Sequence, residues 1–281
     1  MITQRQQVRL IREFKDYKEK WFARWRFLYR LKLGKKMDLA PIQARIINVD
    51  SDRMSPAQSQ RYVPRKNYVR NVLLPQLGQM GLQPKIINGF IPEDLTEHQN
   101  AKSVDGKNFM WGRDREGNLA APYQICLVLG HMKIWEEAVK IGRPVLVLED
   151  DAFLEKRDIE IVARYLFEYQ FLSFRESDNT LLYLQSTCPW RPGKSPKSYP
   201  PSFLAKINRW FFQVSPGWQD VSGTAAYLVT PETCRTLLNH FSGSPLWNID
   251  GMFDDLKRDG ALRIYIPKKY KRNFKLHPEL A

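Results

Sequence analysis

Hydrophobic positions follow two rhythms along this chain. In residues 1–36, Ile11, Phe14, Tyr17, Trp21, Trp25 and Leu28 fall three and four apart, the period of one helix face. Beyond Gly34, short apolar runs alternate with helical stretches. ARIINV (44–49) and PKIIN (84–88) read as buried strands, the first running into polar DSDR and the second closed by Gly89. Between them, residues 64–80 predict a helix, bent or begun anew at Pro75 and stopped at Gly81. Residues 92–120, polar and glycine-containing, predict loop. Residues 122–141 predict a long helix with Ile125, Leu129, Met132, Trp135 and Val139 inward, punctuated by Gly142 and Pro144 before VLVLE. A helix over 158–172 and the strand LLYLQ (181–185) come next. STCPWRPGKSPKSYPPS (186–202) predicts a long loop. The strand TAAYLV (224–229) then leads through the cap Thr230 and Pro231 into a helix to Phe241. A short helix over 250–259, ended by Gly260, and the strand LRIYI (262–266) complete the pattern, which has no repeats. Strands alternating with helices predict an α/β fold with a mostly parallel central sheet.

At 281 residues and 43% hydrophobic content, the chain can bury a sizeable core as one large domain or two small ones. The net charge of +14 changes the picture through its distribution. Residues 1–36 hold 12 Lys/Arg against three acids, a net +9, and the remainder holds 32 against 27, a net +5. The strong charge therefore belongs to an amphipathic arm (1–40), and the main domain (41–281) is only mildly basic. A basic helix with Trp and Phe on its apolar face suits an anionic membrane surface. Packing on the main domain or on a second subunit is the equal alternative. Nucleic acid is not an expected partner, because the aromatics form a stripe instead of alternating with basic residues as stacking platforms. Cys126, Cys188 and Cys234 are widely spaced and unpaired by motif, which favours a reducing compartment. No run approaches the ~20 apolar residues of a membrane span, and basic residues interrupt every short apolar run near the N-terminus. The expected location is cytoplasmic, peripheral on the inner face of a membrane where the arm binds lipid.

Candidate chemistry centres on VLVLEDDAFL (145–154), where four apolar residues run into Glu149, Asp150 and Asp151. Like charges ~4 Å apart cost about 1 kcal/mol in water and several times that where solvent is scarce. If strand geometry persists, Glu149 and Asp151 share a face and Asp150 points away. Paired carboxylates at i and i+2 suit a hard divalent cation, whereas an arbitrary EDD is more often a solvated acidic turn. Position decides between these. DSDR, EDD and the segment after LQ all fall at carboxyl ends of strands, where α/β sheets bind ligands.

The stretch GHMKIWEEAVKIGRPVLVLEDDAFL resembles the core motif of glycosyltransferase family 25, in which a Ser-His, a Trp four residues later, a helix and an apolar strand precede Glu-Asp-Asp. Here Gly130-His131, Trp135 and Glu149-Asp150-Asp151 hold the matching spacing. IINVDSDR (46–53) is similar to the family's opening strand, GTAAYLVT (223–230) to its Gly-Thr-x-x-Tyr strand, and NID (248–250) to its Pro-Val-Asp-like segment. The resemblance spans roughly residues 44–270. Departures are Leu127 in place of a Cys (with Cys126 one position earlier), Gly130 in place of Ser and Asn248 in place of Pro.

The resemblance implies a single GT-A-like, Rossmann-like catalytic domain. It also implies inverting transfer from a nucleotide-sugar donor, a UDP-hexose such as UDP-galactose or UDP-glucose, to a hydroxyl of a glycan or glycoconjugate acceptor. A manganese (or magnesium) ion would offset charge on the departing diphosphate. By position, Asp151 is the metal ligand, Glu149 orients the donor's ribose or sugar, and Asp150 completes the acidic wall. Asn48, Asp50 and Arg53 take the base and ribose, and Gly223, Thr224 and His131 complete the donor site, with Trp135 in the core. Asp250 is the base for the acceptor's proton, unless it only caps its helix, with Asp254 and Asp255 in reserve. Residues 186–202 would serve as a lid or acceptor segment. A metal-dependent phosphoryl-transfer enzyme would need a phosphate-cradling glycine-rich loop that the chain lacks. A catalytically silent membrane-attached binding protein is the other alternative.

Overall fold

Apolar runs become the centre of a sheet, and the amphipathic stretches become its two covers. A computed structural model describes residues 39–98, 101–104, 107–114, 116–173, 179–184, 212–214, 224–267, 274–277 and 279. Residues 1–38 of the basic arm and the 186–202 segment lie outside the described residues. Strands β1 (Gln43–Asn48), β2 (Gln83–Asn88), β6 (Val145–Glu149), β8 (Thr180–Tyr183), β9 (Phe212–Val214), β10 (Ala226–Val229) and β11 (Arg263–Pro267) form a seven-stranded sheet. Their order is β2-β1-β6-β10-β8-β11-β9. β2, β1, β6, β8 and β11 run one way, and β10 and β9 run the other. The expected mostly parallel α/β sheet is thus present, with an antiparallel strand wedged into its middle.

Alternation along β6 assigns the two cores. Val145 and Val147 face one side and Leu146 and Leu148 the other, all four fully buried. The first core is covered by α3 (Pro122–Ile141), α5 (Pro231–Gly243) and α6 (Ile249–Arg258). The second is covered by α1 (Pro56–Tyr68), a π-helical turn (Val69–Leu73), α2 (Leu74–Gln79) and α4 (Ile159–Ser173). The result is a three-layer, Rossmann-like sandwich.

Helix limits follow local chemistry. α3 begins at Pro122, where a missing N–H costs nothing, with Gln124 Oε1 accepting from the Ala121 N–H at 2.8 Å. It ends at Gly142, whose φ of 64° few other residues tolerate. Thr230 caps α5 by accepting from Thr233 N–H. The helix expected from residue 64 begins earlier, at Pro56, and carries Pro64 inside it. The irregularity expected at Pro75 takes the form of the π-turn just before it.

Residues 92–120 differ from the predicted loop. They hold a 3₁₀ turn (Pro92–Asp94) and an antiparallel meander of β3 (Thr96–His98), β4 (Ala101–Val104) and β5 (Lys107–Met110). Strands this short have too few residues to display period-two alternation. A two-stranded ribbon, β7 (Ala152–Phe153) with β12 (Lys275–Leu276), brings the chain's end back beside the acidic segment.

β5 is tied to the start of α6. Leu246 N–H donates to Met110 O (2.8 Å), and Gly112 N–H donates to Leu246 O (2.6 Å). A Cβ on Gly112 would stand 2.6 Å from that carbonyl oxygen, whereas one on Gly78 in α2 meets nothing within 4 Å. Gly112→Ala should therefore destabilise the protein by about 1–3 kcal/mol through overpacking. Gly78→Ala should stabilise it by about 0.5–1 kcal/mol through helix propensity. Denaturant unfolding of both variants checks the pair, and equal effects would contradict the Gly112–Leu246 contact.

Candidate active site

β6 delivers Glu149 to the edge of the sheet on the Val147 side, facing α3. β10 runs antiparallel to β6 with Ala226 opposite Leu148, so the residues entering β10 meet the residue leaving β6. Glu149 N–H donates to Ala225 O at 3.0 Å, and Thr224 Oγ1 donates to Glu149 Oε1 at 2.5 Å. From α3, His131 Nε2 stands 3.5 Å from the same oxygen. Glu149 keeps 17% side-chain exposure, whereas His131 has none and stands behind it. Behind the imidazole, Nδ1 lies 2.7 Å from Tyr227 Oη, which also accepts from Trp135 Nε1 at 2.8 Å.

The strand stops at Glu149 and the chain turns at Asp150 and Asp151. The expected sharing of one face by Glu149 and Asp151 is therefore not realised, because strand alternation does not extend through a turn. Both aspartates instead meet α1. Arg65 Nη1 donates to Asp150 Oδ1 at 2.8 Å, and Nη2 stands 3.3 Å from Asp151 Oδ2. Asp150 also accepts from the Val49 backbone N–H at the end of β1. Burial raises the Asp150 carboxyl against the pull of Arg65. Burial, and then the neighbouring charge of Glu149, pushes Asp151 up to about 7, with Arg65 offsetting only part of it. The segment is held from outside as well. His277 N–H donates to Asp151 O (2.8 Å), Tyr68 Oη to Ala152 O (3.0 Å) and Gln76 Nε2 to Leu154 O (2.9 Å). Burial pushes the Tyr68 phenol up to about 12, so it remains a donor.

The other expected residues spread outward from this edge. Asn48, buried, ends β1 in register with Asn88. Asp50 caps a 3₁₀ turn (Ser51–Arg53) and bonds Lys66 Nζ at 3.2 Å. The Asp52 backbone N–H, then Lys66, hold its carboxyl below the usual range. Arg53 pairs with Asp94. Asp250 is the second residue of α6. The cap is Asn248, whose Oδ1 accepts from Asp250 N–H at 2.8 Å, so Asp250 is not the N-cap. One turn on, Phe253 packs on Tyr227 and Trp135, at centroid distances of 5.6 and 5.9 Å. α6 thus shares the layer of Glu149 and His131. Asp254 is buried near Arg258, and Asp255 is part-exposed. Gly223 lies outside the described residues.

Sequence reasoning did not find Arg65, Tyr68 or His277. Each is one of several similar residues whose role appears only when distant segments meet. Tyr227 stood in the quoted GTAAYLVT block without a role.

Among the described residues, no three His, Cys, Asp or Glu side chains converge as a metal cage. Asp151 Oδ1 is nevertheless a buried acceptor without a hydrogen-bond partner. That fits the attachment common for magnesium and manganese, in which one or two carboxylates hold the ion and substrate phosphates and water supply the rest.

A family model described as glycosyltransferase family 25 (LPS biosynthesis protein) matches residues 61–253, or 193 of the 281 residues. No curated protein matches the chain.

The Asp151 carboxyl titrates near 3.8 in an ordinary setting and near 7 in the fold. Between those values the fold keeps a proton that the unfolded chain has released. Stability from this group is full below the lower value and is lost as pH rises through the upper one. Asp151→Asn removes that loss. The variant should be more stable than wild type above pH 7, with the gap closing toward pH 4. Denaturant titrations across this window check it, and a wild type at least as stable above pH 7 contradicts the buried, costly carboxylate.

Proposed function

The chain belongs to glycosyltransferase family 25, and from that premise we propose the course of its reaction. A hexose moves with inversion from a UDP-hexose donor, of the UDP-galactose or UDP-glucose class, to a hydroxyl of a glycan or glycoconjugate acceptor, in a GT-A-like site. The observation that carries this reading is a buried strand ending in Glu149, Asp150 and Asp151 at the sheet's carboxyl edge, with Asp151 Oδ1 unpartnered.

In this reading Asp151 holds manganese or magnesium, which when bound offsets charge on the diphosphate leaving group. Arg65 keeps Asp150 and Asp151 in place as their counter-charge. Glu149, fixed at Oε1 by Thr224, orients a donor hydroxyl. Asn48, Asp50 and Arg53, around the end of β1, border the base and ribose. Asp250 takes the acceptor's proton, since an inverting displacement needs a base on the face opposite the leaving group. The basic arm attaches the enzyme to an anionic cytoplasmic membrane surface. Deleting residues 1–36 should abolish binding to anionic vesicles while nucleotide-sugar turnover persists, and unchanged vesicle binding sinks the membrane role.

The function is tested by incubating the protein with manganese and a panel of nucleotide sugars and measuring nucleotide release. Turnover of a UDP-hexose that stops in excess chelator supports the reading, and full turnover with chelator contradicts the metal. Asp250→Asn should slow transfer by roughly 100- to 10,000-fold with nucleotide affinity nearly constant, while Asp255→Asn stays close to wild type. Loss of nucleotide binding in Asp250→Asn would move that residue to the donor site.

A further inference from the structure

His131, Trp135 and Tyr227 are buried directly behind Glu149, and their hydrogen bonds have a direction. Trp135 Nε1 can only donate, so Tyr227 Oη accepts at that 2.8 Å contact. The phenol's own proton needs an acceptor, and His131 Nδ1 lies 2.7 Å away. With Nδ1 accepting, the ring's proton sits on Nε2, 3.5 Å from Glu149 Oε1. Nε2 makes no hydrogen bond at ordinary length, and contacts of this kind tighten when substrate binds. Thr224 donates to the same Oε1, while Oε2 makes no hydrogen bond among the described residues. Packing alone would be served by Phe and Leu at these positions, without the cost of enclosing polar atoms.

We propose that Tyr227 and His131 are positioning residues for donor recognition. They fix the imidazole as the Nε2–H tautomer, which holds Glu149 by Oε1 and presents Oε2 to a hydroxyl of the nucleotide sugar. The assignment rests on the donor-site reading above. Glu149 is the group that touches the donor, and the two residues behind it act only through its orientation. A carboxylate oxygen accepts and cannot donate, so its partner on the ligand is a donor, a sugar hydroxyl in this assignment, and not a carbonyl or phosphate oxygen.

Long-range proton–nitrogen NMR of the full-length protein reads the tautomer directly. The chain has four histidines, and His131→Gln identifies the resonance. The wild type should show Nε2–H, and Tyr227→Phe should lose that preference. In kinetics with UDP-hexose, Tyr227→Phe should lower kcat/KM for the donor by roughly 10- to 100-fold, by analogy with partners that orient metal-bound imidazoles, mainly through KM. His131→Gln, which can still offer an N–H to Glu149, should retain more activity than His131→Leu. Tyr165→Phe, at a buried tyrosine in the opposite core, is the control for removing a buried phenol away from Glu149. An Nδ1–H tautomer in the wild type overturns the inference, even if Tyr227→Phe fails to fold. So does Tyr227→Phe with unchanged donor KM. A wild type that binds no nucleotide sugar removes the donor-site reading and this inference with it. Binding with an indifferent Tyr227→Phe removes only this inference.

Discussion

Three carboxylates at the end of a strand with no water on either face set the terms for the elements around them. Val145–Leu148 are enclosed by helices on both sides, so the charge that follows leaves the core at the sheet's edge. Desolvating a carboxylate costs several kcal/mol unless its oxygens are matched. The fold meets that constraint by dividing the cluster. Glu149 stays in strand geometry and meets Thr224 and His131 on the α3 side. Asp150 and Asp151 enter a turn and share the fork of Arg65 on the α1 side. The antiparallel course of β10 and the return of residues 274–277 over the turn serve the same end, each placing a donor on this short stretch.

The match is incomplete, and that is where chemistry enters. Asp151 retains one buried oxygen without a partner, and burial with the neighbouring Glu149 charge raises its carboxyl to about 7. Arg65 offsets part of that rise. The residual imbalance is a cost to folding, and under the proposed donor-site reading a cation arriving with a diphosphate would relieve it. Family membership supplies the reaction class, and the divided acid cluster is the physical ground on which the proposed donor site rests.

Much of this was legible in the sequence because it depends on local signals. The unbroken apolar run before Glu149 predicted a buried strand. Pro122 and Gly142 bounded α3, and Thr230 with Pro231 opened α5. The alternation of strands and helices placed the acids at the carboxyl edge of the sheet. What escaped depends on tertiary pairing. Nothing in GTAAYLVT reveals that β10 lies antiparallel between β6 and β8, yet that orientation brings Thr224 to Glu149. Arg65 is one basic residue among several on its helix, and only the fold selects it. The turn at Asp150 was hidden because an apolar run gives no sign of where its pleat ends. Asp250 carried a helix-cap reading beside that of a base, and the structure gives the cap to Asn248.

The central claim is that the carboxyl end of β6 is the donor site. Anomalous diffraction at the manganese edge, from crystals grown with manganese and a uridine diphosphate, tests it most directly. The account predicts a single strong peak within coordination distance of Asp151, with the diphosphate against it and the nucleoside toward the end of β1. A manganese–nucleotide peak elsewhere on the protein, with Arg65 still holding both aspartates, would contradict it.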